Sequence, residues 1–330
     1  MASSADKVAF IGLGVMGYPM ASNLRRKMDK RKVLLICDVS QQAIDRFQAD
    51  MESFGPIEVV SNGYEAVKSS DVVLTMLPDS AAVEKVYLDP SSGILAGVKS
   101  AANESPVQKL IVECGTIESA TIKHVAEETS YTKKSITTES VLDFVDAPVS
   151  GGPMGAQAGT LAFMVGTDRP DKVLPRVKEV LAPMANPNSI FLCGPIGAGT
   201  AFKVINNYLS AITSLAASEA LNIGVKLGYD PKILTEVINA SGGQCWITSN
   251  SNPVPGVQPN VPSSRNYEGG FRIELCKKVL GMGMELAKQA GARTVLDKPT
   301  MAAFEEAAAD ERYKCKDARV VYKWLSESTR

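Results

Sequence analysis

The sequence predicts an α/β protein, with an N-terminal doubly wound sheet followed by an all-helical C-terminal domain that opens on one long helix. Three observations predict it. A short β-rich run, Lys7 to Ile11, leads into Gly12-Leu13-Gly14-Val15-Met16-Gly17 and then a helical pattern from Tyr18 to Met28. Apolar runs then alternate with helical patterns up to residue 199, as βαβ units do. From Thr200 to Ile223 the chain has neither Gly nor Pro, is rich in Ala, Leu and Ile, and introduces a region of almost continuous helical period. The domains are accordingly 1–199 and 200–330.

Composition narrows the function. A chain of 330 residues with 45% hydrophobic content buries a core large enough for two domains. With 35 basic against 36 acidic residues, no global field favours nucleic acid or an anionic membrane, so the expected partners are small molecules. No apolar run is long enough to span a bilayer. The first strand begins at Lys7, which leaves no space for a signal or full transit peptide, so the expected location is cytoplasmic, with the mitochondrial matrix as alternative. The six cysteines, Cys37, Cys114, Cys193, Cys245, Cys276 and Cys315, form no Cys-x-x-Cys pair and read as reduced thiols rather than a metal or disulfide framework. The single histidine, His124, in a helical segment between Ser119 and Glu128, reads as a surface residue; triads and histidine-base dehydrogenases are thereby set aside.

Taken in order, the first element is a strand, glycine loop and helix. The glycines allow a tight turn and close backbone approach, and the helix N-terminus receives a pyrophosphate. The second strand, Lys32 to Asp38, ends on an acid 21 residues after Gly17. That carboxylate is placed to accept from ribose hydroxyls and to repel a 2′-phosphate, which predicts NAD over NADP; the alternative role for Asp38 is to cap a helix from Ser40. A strand from Asp71 to Leu77 breaks at Pro78, so Leu77 and Pro78 stand at the crevice at the sheet's carboxyl edge, and Asp79 or Ser80 caps a helix from Ala82 to Tyr87. Residues 89–108 read as a surface excursion, and Lys109 to Cys114 as a strand ending at Gly115-Thr116. A charged, Thr- and Ser-rich stretch over 127–141 precedes a strand from Leu142 to Asp146. Strand Leu161 to Val165, helix Asp171 to Leu181 and strand Ser189 to Cys193 complete the first domain.

Two stretches carry chemistry beyond the nucleotide fingerprint. Ser150-Gly151-Gly152 offers a hydroxyl and two unobstructed N–H groups, a nest for a carboxylate, or a ligand-free strand-to-loop connection. Lys203 and Asn207 stand one turn apart on the long helix. An ammonium near the start of an apolar helix is costly to desolvate and opposes the dipole, and both effects lower its pKa toward that of a proton-transferring group. An isolated lysine there would more simply snorkel to solvent. Tyr64-Glu-Ala-Val-Lys68 has the spacing of a catalytic Tyr–Lys pair but falls on a flanking helix and reads as surface.

Across nearly its whole length the chain resembles the β-hydroxyacid dehydrogenase family, in the stretches Gly12–Leu24, Asp146–Gly166, Gly194–Asn207, Gly242–Trp246, Asn252-Pro-Val-Pro-Gly256 and Gly270-Phe271. The resemblance implies a Rossmann domain, a long helix shared between the domains, NAD-dependent oxidation of 3-hydroxyisobutyrate to methylmalonate semialdehyde in valine breakdown, and an all-helical C-terminal domain making homodimer or homotetramer contacts. It implies Lys203 as the catalytic lysine, Asn207 as the substrate-orienting amide, and Ser150, Gly151 and Gly152 as the carboxylate loop. Thr116 would lie near the nicotinamide, Leu77 and Pro78 would line the cofactor cleft, and Lys278 would approach the cofactor from the helical domain. Two departures stand out: Lys278-Val279-Leu280 lacks the family's acid, with Lys277 as a possible substitute, and Gly115 replaces a hydroxyl residue. Sister reductases of tartronate, glyoxylate or succinate semialdehyde would use the same lysine. A non-catalytic dinucleotide-binding module would have no use for it. Phosphogluconate decarboxylation would call for more basic residues near the carboxylate loop.

Overall fold

A computed structural model describes residues 7–327. Six parallel strands, β1 (Lys7–Ile11), β2 (Val33–Cys37), β3 (Ile57–Val59), β4 (Val72–Thr75), β5 (Gln108–Glu113) and β6 (Val141–Asp146), lie in the order β3-β2-β1-β4-β5-β6. Beyond β6, β8 (Leu161–Gly166) runs antiparallel to it and pairs with both the short β7 (Val149–Ser150) and β9 (Ala185–Gly194). At the centre of the sheet β2 and β4 are buried throughout and β5 nearly so, because both faces are covered there. Phe10, Leu34, Ile36, Leu74 and Val112 point into one core, while Ala9, Ile11, Leu35, Val73 and Ile111 point into the other. Each fully buried Phe, Leu, Ile or Val among them contributes about 1.5–3 kcal/mol.

Helices α1 (Gly17–Lys27), α2 (Gln41–Met51), α3 (Gly63–Ser69), α4 (Ser80–Leu88), α5 (Ile94–Glu104), α6 (Ser119–Ser135), α7 (Gly152–Ala158) and α8 (Pro170–Leu181) connect the strands. Strand β1 sits between β2 and β4, where the winding reverses, so the loops after β1 and β4 flank the crevice in which such sheets hold ligands.

Several sequence expectations are corrected here. The supposed excursion over 89–108 contains α5, whose Ile94, Leu95, Val98, Ala101 and Ala102 are buried at helical spacing; the Ser- and Gly-rich approach masks that period. The Thr-rich stretch after 127 is the second half of α6, running to Ser135 with Thr129 and Thr132 buried. Strand β3 went unread because three residues give no periodicity.

The long helix α9 (Ala198–Lys226) starts earlier and ends later than the sequence pattern, and it is not buried all round: Phe202, Ile205, Leu209 and Ile223 are exposed. The chain divides into two compact units that meet between Lys203 and Val204, inside α9, against the 199/200 of the sequence pattern. In the second unit, α10 (Pro231–Asn239), α11 (Trp246–Asn250), α12 (Ile273–Gln289), α13 (Asp297–Ala309) and α14 (Val321–Glu327) accompany the rest of α9. Its core is Tyr267, Ile273, Cys276, Leu280, Phe304, Ala307, Tyr313, Val320 and Val321. α12 approaches α9 closely at Gly283, where an added Cβ would stand 2.7 Å from Tyr208.

Helical period does not extend over 251–272, where Pro253, Pro255 and Pro262 remove donors and the chain is irregular apart from one 3₁₀ turn. Buried Asn252 organises that stretch, accepting from Val254 N–H at 2.9 Å and donating to Thr235 Oγ1 at 3.0 Å. Ser263 donates to the Asn252 carbonyl at 2.6 Å, and Tyr267 to the Pro253 carbonyl at 2.8 Å.

Candidate active site

The turn from β1 to α1 is built so that two of its glycines tolerate no side chain and the third faces open space. At Gly12, with φ +100°, an added Cβ would stand 2.3 Å from the Met76 carbonyl oxygen; at Gly17 it would stand 1.9 Å from the Gly12 carbonyl. At Gly14 it would meet nothing within 4 Å. The N-terminus of α1 has no side-chain cap and no acid in its first turn, so its positive dipole end is uncompensated, while Tyr18 N–H is taken by the Gly14 carbonyl at 2.9 Å and Pro19 carries no N–H. Leu13 is buried, Met16 half-buried and Val15 76% exposed. An exposed anion-receptive helix end beside a cradle that any side chain at Gly14 would fill fits a dinucleotide pyrophosphate.

Asp38, one residue beyond β2, accepts the Leu13 N–H at 2.5 Å and the Ser40 N–H at 2.7 Å. The helix cap is Ser40, whose hydroxyl accepts from Ala43 N–H, so Asp38 instead ties the second strand's end to the glycine loop. Each carboxylate oxygen keeps a lone pair for a further donor, the requirement for holding a ribose. Leu77, half-buried, and Pro78, exposed, follow β4.

Below them lies a feature that sequence alone did not flag. Glu113, the last residue of β5, is completely buried and accepts from Thr75 Oγ1, from Gly115 N–H at 2.7 Å and from Tyr87 OH at 3.3 Å. Burial pushes its pKa up to about 7 against the pull of these hydrogen bonds. The carboxylate thereby fastens the turn that presents half-buried Thr116. It also explains Gly115: an added Cβ would stand 2.6 Å from Glu113 Oε1 and 2.9 Å from the Leu77 carbonyl, so in this chain a serine there would disrupt the turn rather than add a contact.

Ser150 closes β7, paired with Ala162 of β8, and is followed by Gly151 (φ +134°) and Gly152 (φ +61°) at the start of α7. Gly152 faces open space, so its backbone is reachable by a ligand. α7 packs on α1, where Asn23 Nδ2 donates to the Ala156 carbonyl at 2.8 Å; this buried amide, also unread from sequence, couples the carboxylate loop's helix to the nucleotide helix.

Lys203, on the second turn of α9, is 8% exposed, and burial alone pulls its pKa down to about 8, with no hydrogen bond or neighbouring charge from the described residues acting on it. A buried amine without a counter-charge is costly, which points to a ligand that completes its surroundings. In the second unit, Asn207 is half-buried one helical turn further along α9, with its Oδ1 accepting weakly from Asn206 Nδ2 at 3.4 Å. Lys278 and Lys277 lie half-buried on α12. The Tyr64 and Lys68 pair is spent elsewhere, on Ser100 and Glu104 at 2.8 Å each.

Comparison with known proteins matches this architecture. Residues 7–194 match the family model for the NAD binding domain of 6-phosphogluconate dehydrogenase, and residues 197–325 that for NAD-binding of NADP-dependent 3-hydroxyisobutyrate dehydrogenase. The human mitochondrial 3-hydroxyisobutyrate dehydrogenase is 36% identical over 325 residues, covering 98% of this chain and 88% of that one. A Pseudomonas aeruginosa NAD-dependent L-serine dehydrogenase is 38% identical over 288 residues, 87% of each chain. The solved structure of Mycobacterium tuberculosis 3-hydroxyisobutyrate dehydrogenase with L-serine superposes with a TM-score of 0.80 at 33% identity, covering 97% of this chain and 99% of that one.

Proposed function

The chain belongs to the β-hydroxyacid dehydrogenase family of nicotinamide-dinucleotide enzymes, and from that premise we propose that it oxidises 3-hydroxyisobutyrate to methylmalonate semialdehyde with NAD. The observation that carries the proposal is Lys203, buried, without a partner among the described residues, and with a pKa brought to about 8. Such an amine changes charge close to working pH, which general acid–base catalysis requires. Bound NAD supplies the hydride acceptor, its nicotinamide C4.

The residues divide the remaining work. Ser150 and the amides of Gly151 and Gly152 receive the substrate carboxylate. Neutral Lys203 takes the C3 hydroxyl proton as the C3 hydrogen departs as hydride; in reduction its ammonium returns the proton. Asn207, one turn along α9, orients the substrate oxygen. Gly12 to Gly17 hold the pyrophosphate, Asp38 the adenosine ribose, and Leu77, Pro78 and Thr116 the nicotinamide side; Lys278 is assigned to the cofactor on the family resemblance alone.

NAD is favoured over NADP by the Asp38 carboxylate, although one matching family model is described as NADP-dependent. Fluorescence titration should give tighter binding of NADH than NADPH, and Asp38→Ala should narrow the difference; preference for NADPH would sink this part of the reading.

L-serine is the second substrate reading, favoured by the Pseudomonas relative and by the ligand named in the Mycobacterium structure. Serine also carries a carboxylate and a C3 hydroxyl. NADH formation measured with hydroxyisobutyrate, L-serine, tartronate and the semialdehyde couples ranks them. The proposal requires the highest kcat/KM on hydroxyisobutyrate.

We further propose a homo-oligomer assembled through the second unit, where Ile223, Leu227, Tyr229, Ile233 and Val237 leave a large apolar area around α9 and α10 exposed. Among the described residues no helix is long and apolar enough to cross a membrane. The cytoplasmic expectation rests on residues before Lys7, outside the described residues, and several relatives are named mitochondrial. Fractionation of cells expressing the full chain decides between cytosol and matrix.

A further inference from the structure

We propose that Asp146 is a positioning residue for Lys203. Its buried carboxylate fixes the start of α9 to the end of β6, and so sets where the lysine amine stands relative to the Ser150–Gly152 loop. The inference rests on the reading of Lys203 as the proton-transferring group.

Asp146 is the last residue of β6 and is completely buried. Its two oxygens accept the N–H groups of Gly197 and Thr200, each at 2.7 Å, across sequence separations of 51 and 54. A helix start has N–H groups without helical partners, and a residue beside it in sequence ordinarily serves them. Here a distant strand does so, which makes the bond a tie between elements and not a local cap. Burial raises the Asp146 pKa while the two amides hold it down, and the helix's positive end favours the anion.

Steric fit removes the remaining freedom. A Cβ at Gly199 would stand 2.0 Å from the Met164 carbonyl and 2.9 Å from the Asp146 carbonyl; one at Gly166 would stand 2.3 Å from Asp146 Oδ1. The first turn of α9 therefore lies directly on β6 and β8. Lys203 follows Thr200 by three residues, close to one helical turn, and Ser150 follows Asp146 by four. One carboxylate thus joins the two stretches that must meet the same substrate, one at its hydroxyl and the other at its carboxylate.

Asp146→Asn is the test: it keeps the shape but cannot accept both N–H groups through two carboxylate oxygens. A positioning role predicts a fall in kcat of roughly 10- to 100-fold, with the KM for the hydroxyacid and the Kd for NADH within about twofold of wild type. Hydrogen exchange at residues 197–203 should accelerate while the rest of the sheet keeps its protection. Retention of kcat within about twofold overturns the inference, and so does a loss shared by kcat, NADH binding and global exchange, the mark of a merely structural carboxylate. If wild type fails to oxidise any 3-hydroxy acid, the proposed function falls, and the exchange arm alone decides the anchor: unchanged exchange at 197–203 refutes it, local acceleration sustains it. Should the Asn variant fail to fold, exchange of the wild-type amides decides: Gly197 and Thr200 N–H protected as well as the sheet sustain the anchor, and exchange as fast as that of exposed amides overturns it.

Discussion

Lys203 is where the sequence and the structure speak most directly to each other. A cationic side chain on an apolar helix is conspicuous in one dimension, and its burial, with a pKa of about 8, gives that oddity a physical consequence. Lys203→Ala should lower turnover by roughly two to four orders of magnitude with NADH affinity unchanged. Near-normal turnover would remove the lysine from the chemistry. For wild type, the rate of alcohol oxidation should rise with pH through about 8, because the amine must be neutral to accept the proton, and the reverse reduction should fall over the same interval. A pH profile of kcat/KM in both directions checks the sign. The buried acids Glu113 and Asp146 were not legible in the same way. Inside a strand, sequence says only that a residue is covered, and their partners Thr75 and Thr200 lie 38 and 54 positions away.

At the scale of elements, the glycine loop separates two roles that one motif conflates. Gly17 is packed against its own turn, so Gly17→Ala should lower the melting temperature markedly, by an overpacking penalty of about 1–3 kcal/mol or more. Gly14 faces open space, so Gly14→Val should leave the melting temperature nearly unchanged while weakening NADH binding. Intact NADH affinity in that variant would mean the pyrophosphate lies elsewhere. Strands and helices with strong periodicity were read in place from the sequence, including β1, β2, β4, β5 and α8. What escaped had a physical reason: α5 hides behind a Ser-Ser-Gly approach, α6 buries threonines in place of aliphatics, and residues 251–272 keep their shape through the hydrogen bonds of Asn252.

For the whole molecule, a charge placed in the exposed apolar area of the second unit tests the proposed assembly: Ile233→Asp should shift the protein to a smaller species in light scattering while leaving NADH binding intact. Acidity sets a second global property. Glu113, raised from 4.5 to about 7, adds stability that is complete below the unfolded value and is lost as pH climbs through 7. Lys203, lowered from 10.5 to about 8, acts in the opposite sense: folding bears its full penalty below 8 and sheds it as pH climbs toward 10.5, a swing of roughly 3 kcal/mol. Measured as a difference from wild type, Lys203→Met should raise the melting temperature most below pH 8 and least toward 10.5. Holding its proton shuttle dry thus costs this protein robustness in neutral and acidic solution, and the cost fades in alkali.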